Sequence, residues 1–426
     1  MQTTERRPRR EKRAFRRFFA DLGPGLITGA ADDDPSGIST YSVAGASFGL
    51  LPLWTALFSF PLMTAVQLMC ARLGLVTGYG LAGVIRRRYP TWILWTACAL
   101  VVTANTVNIA ADLEGMGEAT RMVTGIPTGA CVALYAGTMV AVLFWSSYRA
   151  IARLFKWLTI VLGAYVATAF VAHVDWAGAL RATLLPHVEW SRGFFSVLLA
   201  ILGTTISPYL FFWQAAQEVE EERAMGRNLK RRRGATAGEL ARARTDVMTG
   251  MFASNAIMYF IILTTAATLH AHGRTDITTA AQAADALRPL AGRAAYWLFT
   301  LGLIGTGMLG VPVLAGSCAY AIAEAAAWRN GSLNRKPGRA KKFYFVIGFA
   351  MAMGLVLVSF GFNAIHLLFA AAVLNGLLAP PLILLVLLLT RDRQVMHQAV
   401  NPPLLSALGW ITFVVMLGAA VGLFVA

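Results

Sequence analysis

Residues 32–37 read Asp32-Asp33-Asp34-Pro35-Ser36-Gly37 and interrupt a stretch that is otherwise apolar or small. A carboxylate at the centre of a membrane helix costs roughly 2.5–3.5 kcal/mol, so its presence there indicates a functional site. Pro35 has no amide hydrogen and clashes with the preceding turn, whereas Gly37 accepts unusual backbone angles. The stretch therefore predicts a membrane helix that is broken beside three carboxylates. A simple proline kink with acidic residues at a water-facing helix end is the alternative.

The composition is that of a helical membrane protein. Of the 426 residues, 57% are hydrophobic and 14% are charged, and the mean hydropathy is +0.60. Windows of about 20 apolar residues are long enough to cross a bilayer as helices. We predict eleven such spans, at residues 22–49, 52–77, 92–123, 127–147, 151–173, 193–216, 246–270, 293–326, 343–360, 364–390 and 404–425. The sequence has no HExxH or Walker motif, which argues against an enzyme.

The basic residues occur in alternate connections between the predicted spans. Most of the 37 Lys and Arg residues fall within 6–17, 86–88, 149–156, 223–244, 329–342 and 391–393. Cytoplasmic connections carry such an excess, so we expect a multi-pass protein of the cell membrane with a cytoplasmic N-terminus and an external C-terminus. This asymmetry explains the net charge of +16 without nucleic acid. The lipid bilayer is the expected partner, and neither a cofactor nor an obligate protein partner is indicated.

The sixth predicted span contains a second interruption, Gly203-Thr204-Thr205-Ile206-Ser207-Pro208-Tyr209. A proline after three hydroxyl residues predicts another broken helix with free carbonyl groups. Breaks in spans one and six predict a LeuT-like fold of two inverted five-helix repeats, with the breaks meeting at the midplane. The carboxylates of the first break favour a cation there. We expect an all-α protein divided into a basic arm 1–21, repeats 22–173 and 193–390 with a mobile cytoplasmic loop 218–245, and an eleventh helix 404–425.

These features resemble the Nramp family of divalent-metal transporters over nearly the whole transmembrane region. Gly23-Pro24-Gly25 and Asp34-Pro35-Ser36-Gly37 are similar to the GPG and DPGN elements of the family's first helix. The stretch 71–78 is close to the family's RLGxVTG element, and Asp112-Leu113 matches an acidic position in the third span. Residues 301–303 and 314–316 of the eighth span also fit. The resemblance implies a transporter in which Asp34 is a metal ligand.

Three departures from the family pattern concern its metal site. Gly37 stands where the family has Asn, and Ser207-Pro208-Tyr209 replaces Met-Pro-His. Gly115 stands at a second acidic position of the third span. This pattern is most similar to the branch called Nramp-related magnesium transporters. That resemblance implies a wider site for a hydrated hard ion, without coupling to protons.

The residue types at the two breaks agree with a hard cation. Carboxylate, hydroxyl, carbonyl and water oxygens favour Mg²⁺ and Mn²⁺, whereas thioether sulfur favours softer metals. Mg²⁺ is commonly held by one or two carboxylates through its waters. We predict a metal site formed by Asp34, Gly37, the Thr204 carbonyl and the Ser207 hydroxyl, with Gly37 leaving space for water. Ser207 could instead be a packing hydroxyl between helices.

The third span contributes further candidates. Asn105, Asn108 and Asp112 follow i, i+3, i+7 spacing and form one polar face. Glu114 begins a neighbouring stripe that continues to Glu118. We predict Asp112 and Glu114 as charges that support the site or line the pathway, the alternative being structural ion pairing. Asp32 and Asp33 are interpreted as vestibule charges that concentrate cations. Tyr209 is a pathway residue that replaces the family's histidine, and tyrosine titrates near pH 10, too high for proton cycling.

The sequence thus predicts a secondary transporter that imports divalent metal ions, chiefly Mg²⁺ and also Mn²⁺, by alternating access without proton coupling. One alternative is a proton-coupled symporter of Mn²⁺ or Fe²⁺. Another is a symporter of organic cations or amino acids on the same fold, with Phe211, Phe212 and Trp213 forming an aromatic pocket. Arg72, within the second span, is expected to pair with a carboxylate or a helix C-terminus.

Overall fold

The computed structural model describes residues 23–145, 160–227, 234–328 and 330–426, and within them it contains helices and no strand. The expected basic arm 1–21 lies outside the described residues, as does the beginning of the fifth predicted span at 151–159. The all-helical fold class predicted from hydropathy is confirmed.

Both predicted helix breaks are present. The first span consists of α1 (Pro24–Asp32) and α2 (Pro35–Phe48), and the sixth consists of α9 (Arg192–Thr205) and α10 (Pro208–Ala224). In each case a proline is the first residue of the second half, where its missing amide hydrogen is tolerated. The local sequence therefore determines both breaks.

Most of the remaining helices follow the predicted spans within a few residues. They are α3 (Trp54–Thr77), α4 (Leu81–Arg88), α5 (Thr91–Thr124), α6 (Thr128–Trp145), α7 (Gly163–Val171), α8 (Trp176–Leu184), α11 (Ala237–Thr268), α12 (Ala295–Ala325), α13 (Lys341–Val358), α14 (Ala364–Arg391) and α15 (Pro403–Val425). Short helical turns cover Ala280–Ala284, Arg288–Ala291 and Arg393–Met396, and 3₁₀ turns lie at Leu51–Leu53, Ile160–Leu162, His270–His272, Asp285–Leu287, Gly292–Ala294, Pro337–Arg339 and His397–Ala399.

The predicted count of eleven spans is not confirmed. Within the described ranges, 8 helical segments are long and apolar enough to cross a membrane. The first span is divided into helices of 9 and 14 residues, and the apolar part of α6, Thr128–Phe144, is shorter than these segments. The fifth span is described only from residue 160. The loop expected at 218–245 is also shorter, because α10 continues to Ala224 and α11 already begins at Ala237.

Helix α11 packs along both halves of the broken first helix. A Cβ atom on Gly29 of α1 would overlap the backbone of Gly250 of α11. On α2, a Cβ atom on Gly45 would overlap the Thr265 hydroxyl and the Ile262 carbonyl oxygen of α11. Two glycines therefore allow α11 to lie directly against the broken helix on both sides of the break.

Candidate functional site

Asp34 is the central residue of the first break. It precedes α2 as its N-cap, and its Oδ1 accepts hydrogen bonds from the Gly37 amide (2.9 Å) and the Ser36 hydroxyl (2.6 Å). The side chain is 1% exposed. An aspartate at this position satisfies amide groups that have no partner at a helix start. Its second oxygen, Oδ2, is therefore the one oriented for other contacts.

Tyr209 connects the second broken helix to this carboxylate. Its hydroxyl lies 2.9 Å from the Ala31 carbonyl oxygen and 3.3 Å from Oδ2 of Asp34. Because a tyrosine hydroxyl has a single hydrogen, it donates to one of these oxygens at a time. Tyr209 thus contacts both sides of the first break, and its place on the pathway stays a prediction.

The second break supplies neutral oxygens. The Ser207 hydroxyl lies 2.9 Å from the Gly203 carbonyl oxygen and 2.6 Å from the Thr204 carbonyl oxygen, and its single hydrogen can be donated to either, so the two predicted ligands Thr204 and Ser207 are in contact with each other. Both residues are buried. The Ser207 oxygen and the Thr204 carbonyl each keep a lone pair for another partner. The hydroxyl bonds within its own break rather than to another helix.

Gly37 brings the two breaks into contact. A Cβ atom at this position would lie 3.1 Å from Oγ1 of Thr204 and 3.3 Å from the Asp32 carbonyl oxygen. The space that a side chain would occupy is therefore filled by Thr204, whereas the sequence analysis expected it to hold water. Gly37 contributes close approach of the helices, and its amide contributes a hydrogen bond to Asp34.

Asp112 faces the same region from α5. It is 0% exposed, and neither of its carboxylate oxygens accepts a hydrogen bond from the described part of the chain. A Cβ atom on Gly310 of α12 would lie 3.1 Å from the Cβ of Asp34 and 3.8 Å from Oδ2 of Asp112. The Ala31 carbonyl oxygen lies at 4.0 Å from the same point. The side chains of Asp34 and Asp112 and the Ala31 carbonyl thus converge over Gly310.

This convergence is suited to a cation. A buried charge without a partner is costly in free energy, and two neighbouring carboxylates increase that cost by repulsion. A divalent ion between Asp34 and Asp112 would offset both effects. Gly310 suits this position, because a Cβ atom there would press against the side chain of Asp34.

The polar face predicted on α5 continues away from this point. Asn108 is fully buried, and both polar atoms of its side chain lack a hydrogen-bond partner among the described residues. Asn105, one turn earlier, donates to the Leu314 carbonyl (2.9 Å) and to the Ser317 hydroxyl (2.8 Å). Buried polar groups are normally paired with protein or ordered water. The face from Asn105 to Asp112 therefore has the chemistry of a hydrated route.

Glu114 does not join the site. It is half-buried and lies two residues from Asp112, which places it about 200° around the helix. Its stripe continues to Glu118, whose Oε2 accepts from the Thr128 hydroxyl at 3.2 Å and lies 3.7 Å from Nη1 of Arg121. The structural pairing considered as an alternative is present for Glu118. Gly115 faces α14, where a Cβ atom would lie 2.9 Å from Leu368.

Asp32 and Asp33 are not vestibule residues in this structure. They are 0% and 5% exposed, and the Ser254 hydroxyl of α11 lies 2.7 Å from Asp32 and 3.1 Å from Asp33. Their burial follows from the packing of α11 against both halves of the broken helix. Sequence reasoning missed Ser254, because a single serine in an apolar span gives no signal of its partner.

Asp246 is a second residue that sequence reasoning missed. Its carboxylate accepts hydrogen bonds from the amides of Gly23 (2.9 Å), Gly25 (2.6 Å) and Leu26 (3.1 Å) at the start of α1. An acidic group at a helix N-terminus is favourable because it pairs free amides and the positive end of the helix dipole. The free amide groups at the start of α1 could have indicated that an acceptor from elsewhere in the chain is needed there.

Gln214 of α10 is buried and links α10 to α1. Its carbonyl oxygen accepts from the Thr28 hydroxyl of α1 (2.6 Å), and its amide donates to Glu218 of α10 (2.9 Å). The first contact joins α1 to α10, and the second lies within α10. Together with the burial of Asp34 and Asp112, they describe a conformation in which the site is closed to solvent.

Comparison with known proteins gives a consistent family. Residues 25–426 match the family described as Nramp, natural resistance-associated macrophage protein-like. A divalent metal cation transporter MntH from Mesorhizobium japonicum is 28% identical over 303 residues, which cover 69% of this chain and 65% of that protein. Another MntH, from Aeromonas hydrophila, is 24% identical over 426 residues, covering 95% of each.

Solved structures agree on the fold. The manganese transporter of Eremococcus coleocola superposes with a TM-score of 0.76 at 19% identity, over 99% of this chain and 88% of that one. The inward-facing conformation of Mhp1 gives 0.53 at 14% identity, over 95% and 90%. These likenesses confirm the LeuT-like architecture that the two helix breaks predicted. The chain belongs to the Nramp family and is a membrane transporter rather than an enzyme.

Proposed function

We propose that this Nramp-family transporter carries divalent metal cations, chiefly Mg²⁺ and also Mn²⁺, into the cell by alternating access and without moving protons. Membership of the family supports the divalent-metal part of this proposal. The observation that carries the proposed metal site is the pair of buried side chains Asp34 and Asp112. Asp112 has no hydrogen-bond partner among the described residues. The two aspartates supply charge for a divalent ion at the junction of the two breaks.

The donor atoms around these carboxylates are oxygens. The Ala31 and Thr204 carbonyl groups and the hydroxyl groups of Ser207 and Tyr209 lie at the same junction. Oxygen donors suit Mg²⁺ and Mn²⁺, and Mg²⁺ keeps part of its water shell. In this proposal Asp34 binds the metal, Thr204 and Ser207 contribute oxygens or hold metal-bound water, and Gly37 permits their approach. Asp112 provides the second charge.

The absence of proton coupling is proposed from the groups that could exchange a proton. Around Asp34 the described residues provide the carboxyl groups of Asp32, Asp33 and Asp112 and the Tyr209 hydroxyl but no histidine; the six histidines are at positions 173, 187, 270, 272, 366 and 397. If Asp34 and Asp112 stay ionised beside the metal and Asp32 and Asp33 keep one protonation state against Ser254, no group changes protonation during the cycle. A symporter requires such a change, because coupling arises when one ligand alters the affinity for the other.

A transporter of Mn²⁺ or other transition metals is the second candidate. The observation that favours it is Met116, whose sulfur lies against Gly307, one helical turn from Asp112. A Cβ atom on Gly307 would overlap the Met116 sulfur and would lie 3.2 Å from Cγ of Pro35 in the first break. Sulfur this close to the site would favour a softer ion if the side chain turned towards it.

An organic substrate is disfavoured by the aromatic residues of α10. Phe211, Phe212 and Trp213 are almost fully buried. The Trp213 ring lies 2.8 Å from the position of a Cβ atom on Gly316 and makes an edge contact with Tyr320. Trp213 therefore packs against α12, and all three rings are buried rather than lining an open pocket of the kind that an amino acid or organic cation would need.

The deciding experiment is uptake into proteoliposomes with Mg²⁺, Mn²⁺ or Ca²⁺ outside and a pH dye inside. We expect Mg²⁺ uptake that rises with a negative internal potential and leaves the internal pH unchanged. Metal-dependent acidification that disappears in Asp112→Asn would contradict the proposal and support a proton-coupled symporter. Uptake of Mn²⁺ without Mg²⁺, reversed by Met116→Leu, would support the second candidate.

The orientation and repeat boundaries are also proposals. The basic connections place the N-terminus in the cytoplasm and the C-terminus outside, with repeats at residues 22–173 and 193–390 and an additional helix at 404–425. All four native cysteines are buried, so single cysteines added at each terminus can be labelled selectively in intact cells. Labelling of the C-terminal cysteine alone by a membrane-impermeant reagent is expected. Labelling of both from outside would contradict an odd number of spans.

A further inference from the structure

A groove of about 450 Å³ opens between α3, α11 and α15, outside the candidate metal site. Its wall is mostly apolar: Phe60, Pro61, Thr64, Ala65, Leu68, Leu240, Ala241, Met248, Pro402, Leu404, Leu405 and Leu408. Two arginines, Arg72 and Arg244, complete the lining, and none of the residues that line the groove is acidic. An apolar slot with two guanidinium groups and no carboxylate has the chemistry of an amphipathic anion site.

Arg72 is only partly satisfied by the protein. Its Nη2 donates to the carbonyl groups of Ala399 (2.8 Å) and Val400 (3.2 Å), while its buried Nε has no hydrogen-bond partner among the described residues. The pairing with the end of a helical turn was expected from sequence, but no ion pair to a carboxylate is present for Arg72 or Arg244 in the described ranges. Both guanidinium charges therefore remain available to an anion.

The two arginines lie near one end of the membrane-spanning helices. Arg72 is five residues from the end of α3, and Arg244 is seven residues from the start of α11, or about 8 and 11 Å along the helix axes. Helix α15 begins at the same end with Pro403. This is the proposed cytoplasmic side, where lipid phosphates meet the hydrocarbon region. Above the arginines, Met248 and Phe252 of α11 are exposed, and Phe252 makes an edge contact with Phe60.

We propose that this groove binds one anionic phospholipid of the cytoplasmic leaflet. Its phosphate lies between Arg72 and Arg244, and one acyl chain follows the apolar wall towards Leu408. Basic pockets between transmembrane helices on the cytoplasmic side bind such headgroups, and guanidinium groups pair with phosphate through several hydrogen bonds. The basic arm 1–21 is a poor occupant, because its charge has the same sign as that of the arginines. The inference does not depend on which ion is transported.

The site is placed to affect the transport cycle. Arg244 is two residues before Asp246, which holds the start of α1 through three amide groups. Helix α11 also contacts both halves of the broken helix. A lipid bound to Arg244 and Arg72 would tie α11 to α3 at this end of the molecule. We therefore expect lipid binding to stabilise the closed arrangement of α1.

The test measures lipid binding by native mass spectrometry and thermal unfolding of the full chain in detergent. The probes are phosphatidylglycerol, phosphatidylcholine with the same acyl chains, and inorganic phosphate. We expect saturable binding and a raised Tm with phosphatidylglycerol alone. Arg244→Gln should weaken its binding by at least fivefold, whereas Arg242→Gln, on the same helix but outside the groove, should leave it unchanged.

Two further variants keep the result decisive. Because Arg72→Gln also removes contacts to Ala399 and Val400, it is compared with Leu408→Trp, which fills the apolar end and keeps both arginines. Weaker phosphatidylglycerol binding in Leu408→Trp supports a seated acyl chain. Equal binding in Arg244→Gln and the unmodified protein, or equal stabilisation by phosphatidylcholine, would overturn the proposal. Equal stabilisation by inorganic phosphate would replace the lipid with a soluble anion.

Discussion

The two helix breaks satisfy their polar groups in different ways. At the second break, the Ser207 hydroxyl bonds to carbonyls three and four residues earlier in the same helix. At the first break, the acidic side chains of residues 32–34 require Ser254 from α11 and Tyr209 from α10 in addition to local donors. A neutral break is thus self-sufficient, whereas a charged break depends on partners brought by tertiary packing.

This difference assigns separate roles to the two breaks. The first provides the charge that a divalent ion requires, and its carboxylates are held by three different helices. The second provides neutral oxygens between the end of α9 and the start of α10. The hydrogen bonds of its Ser207 hydroxyl are all local. We therefore expect substitutions at the first break to affect both transport and stability, and those at the second to act mainly on selectivity.

The largest effect is expected from Asp34→Asn. The variant keeps the size of the side chain but removes the charge, and a hydrogen bond or contact to a charged group contributes about 1.5–3 kcal/mol. At about 1.4 kcal/mol per tenfold change, uptake should fall by about 100-fold at the upper end of that range. Metal uptake by proteoliposomes measures this. Asp33→Asn serves as the control within the same break, and a loss of uptake confined to that control would reject Asp34 as the ligand.

Asp112→Asn should separate function from stability. Removing the second charge should weaken metal affinity by about 10- to 100-fold, as for residues that support a metal ligand. Without metal, the same change removes a buried charge that has no partner among the described residues, so the Tm should rise rather than fall. Isothermal titration and thermal unfolding of the metal-free protein give the two values. A lower Tm combined with normal affinity would show that Asp112 is structural.

Two serine substitutions, one on α11 beside the first break and one at the second break, test the difference between the breaks. Ser254→Ala leaves Asp32 and Asp33 without a shared donor, so unfolding free energy should fall by about 1–3 kcal/mol. Ser207→Ala removes bonds made within one turn and should cost less than about 1 kcal/mol. Thermal unfolding of both variants in the same detergent gives the order. A larger loss in Ser207→Ala would reverse the roles assigned to the breaks.

The smallest expected effect is a change of selectivity in Ser207→Met. A thioether at this position adds a soft donor and occupies space for metal-bound water, so the preference should shift towards Mn²⁺ or Cd²⁺. We expect a change in the Mn²⁺/Mg²⁺ ratio of about three- to tenfold, or about 0.7–1.4 kcal/mol. Competitive uptake measures the ratio, with Ser207→Ala as the control for loss of the hydroxyl. An unchanged order would mean that Ser207 does not face the ion.

The sequence by itself determined the features that depend on local chemistry. Hydropathy determined which segments are apolar helices, proline and glycine determined both breaks, and helical spacing placed Asn108 and Asp112 on one face. Asp34 was identified because it is a carboxylate at membrane depth beside a predicted helix break and because it matches the family's first-helix element. The oxygen character of the site followed from the residue types alone.

Tertiary structure decided which side chains meet. The contact between Gly37 and Thr204, the convergence of Asp34 and Asp112 over Gly310, and the orientation of Glu114 away from them depend on how each helix is rotated against its neighbours. The bonds from Ser254 and Asp246 depend on the position of α11 along the broken helix. Hydropathy does not encode these rotations, because in a largely apolar span a single polar or small residue becomes informative only once its neighbour is known.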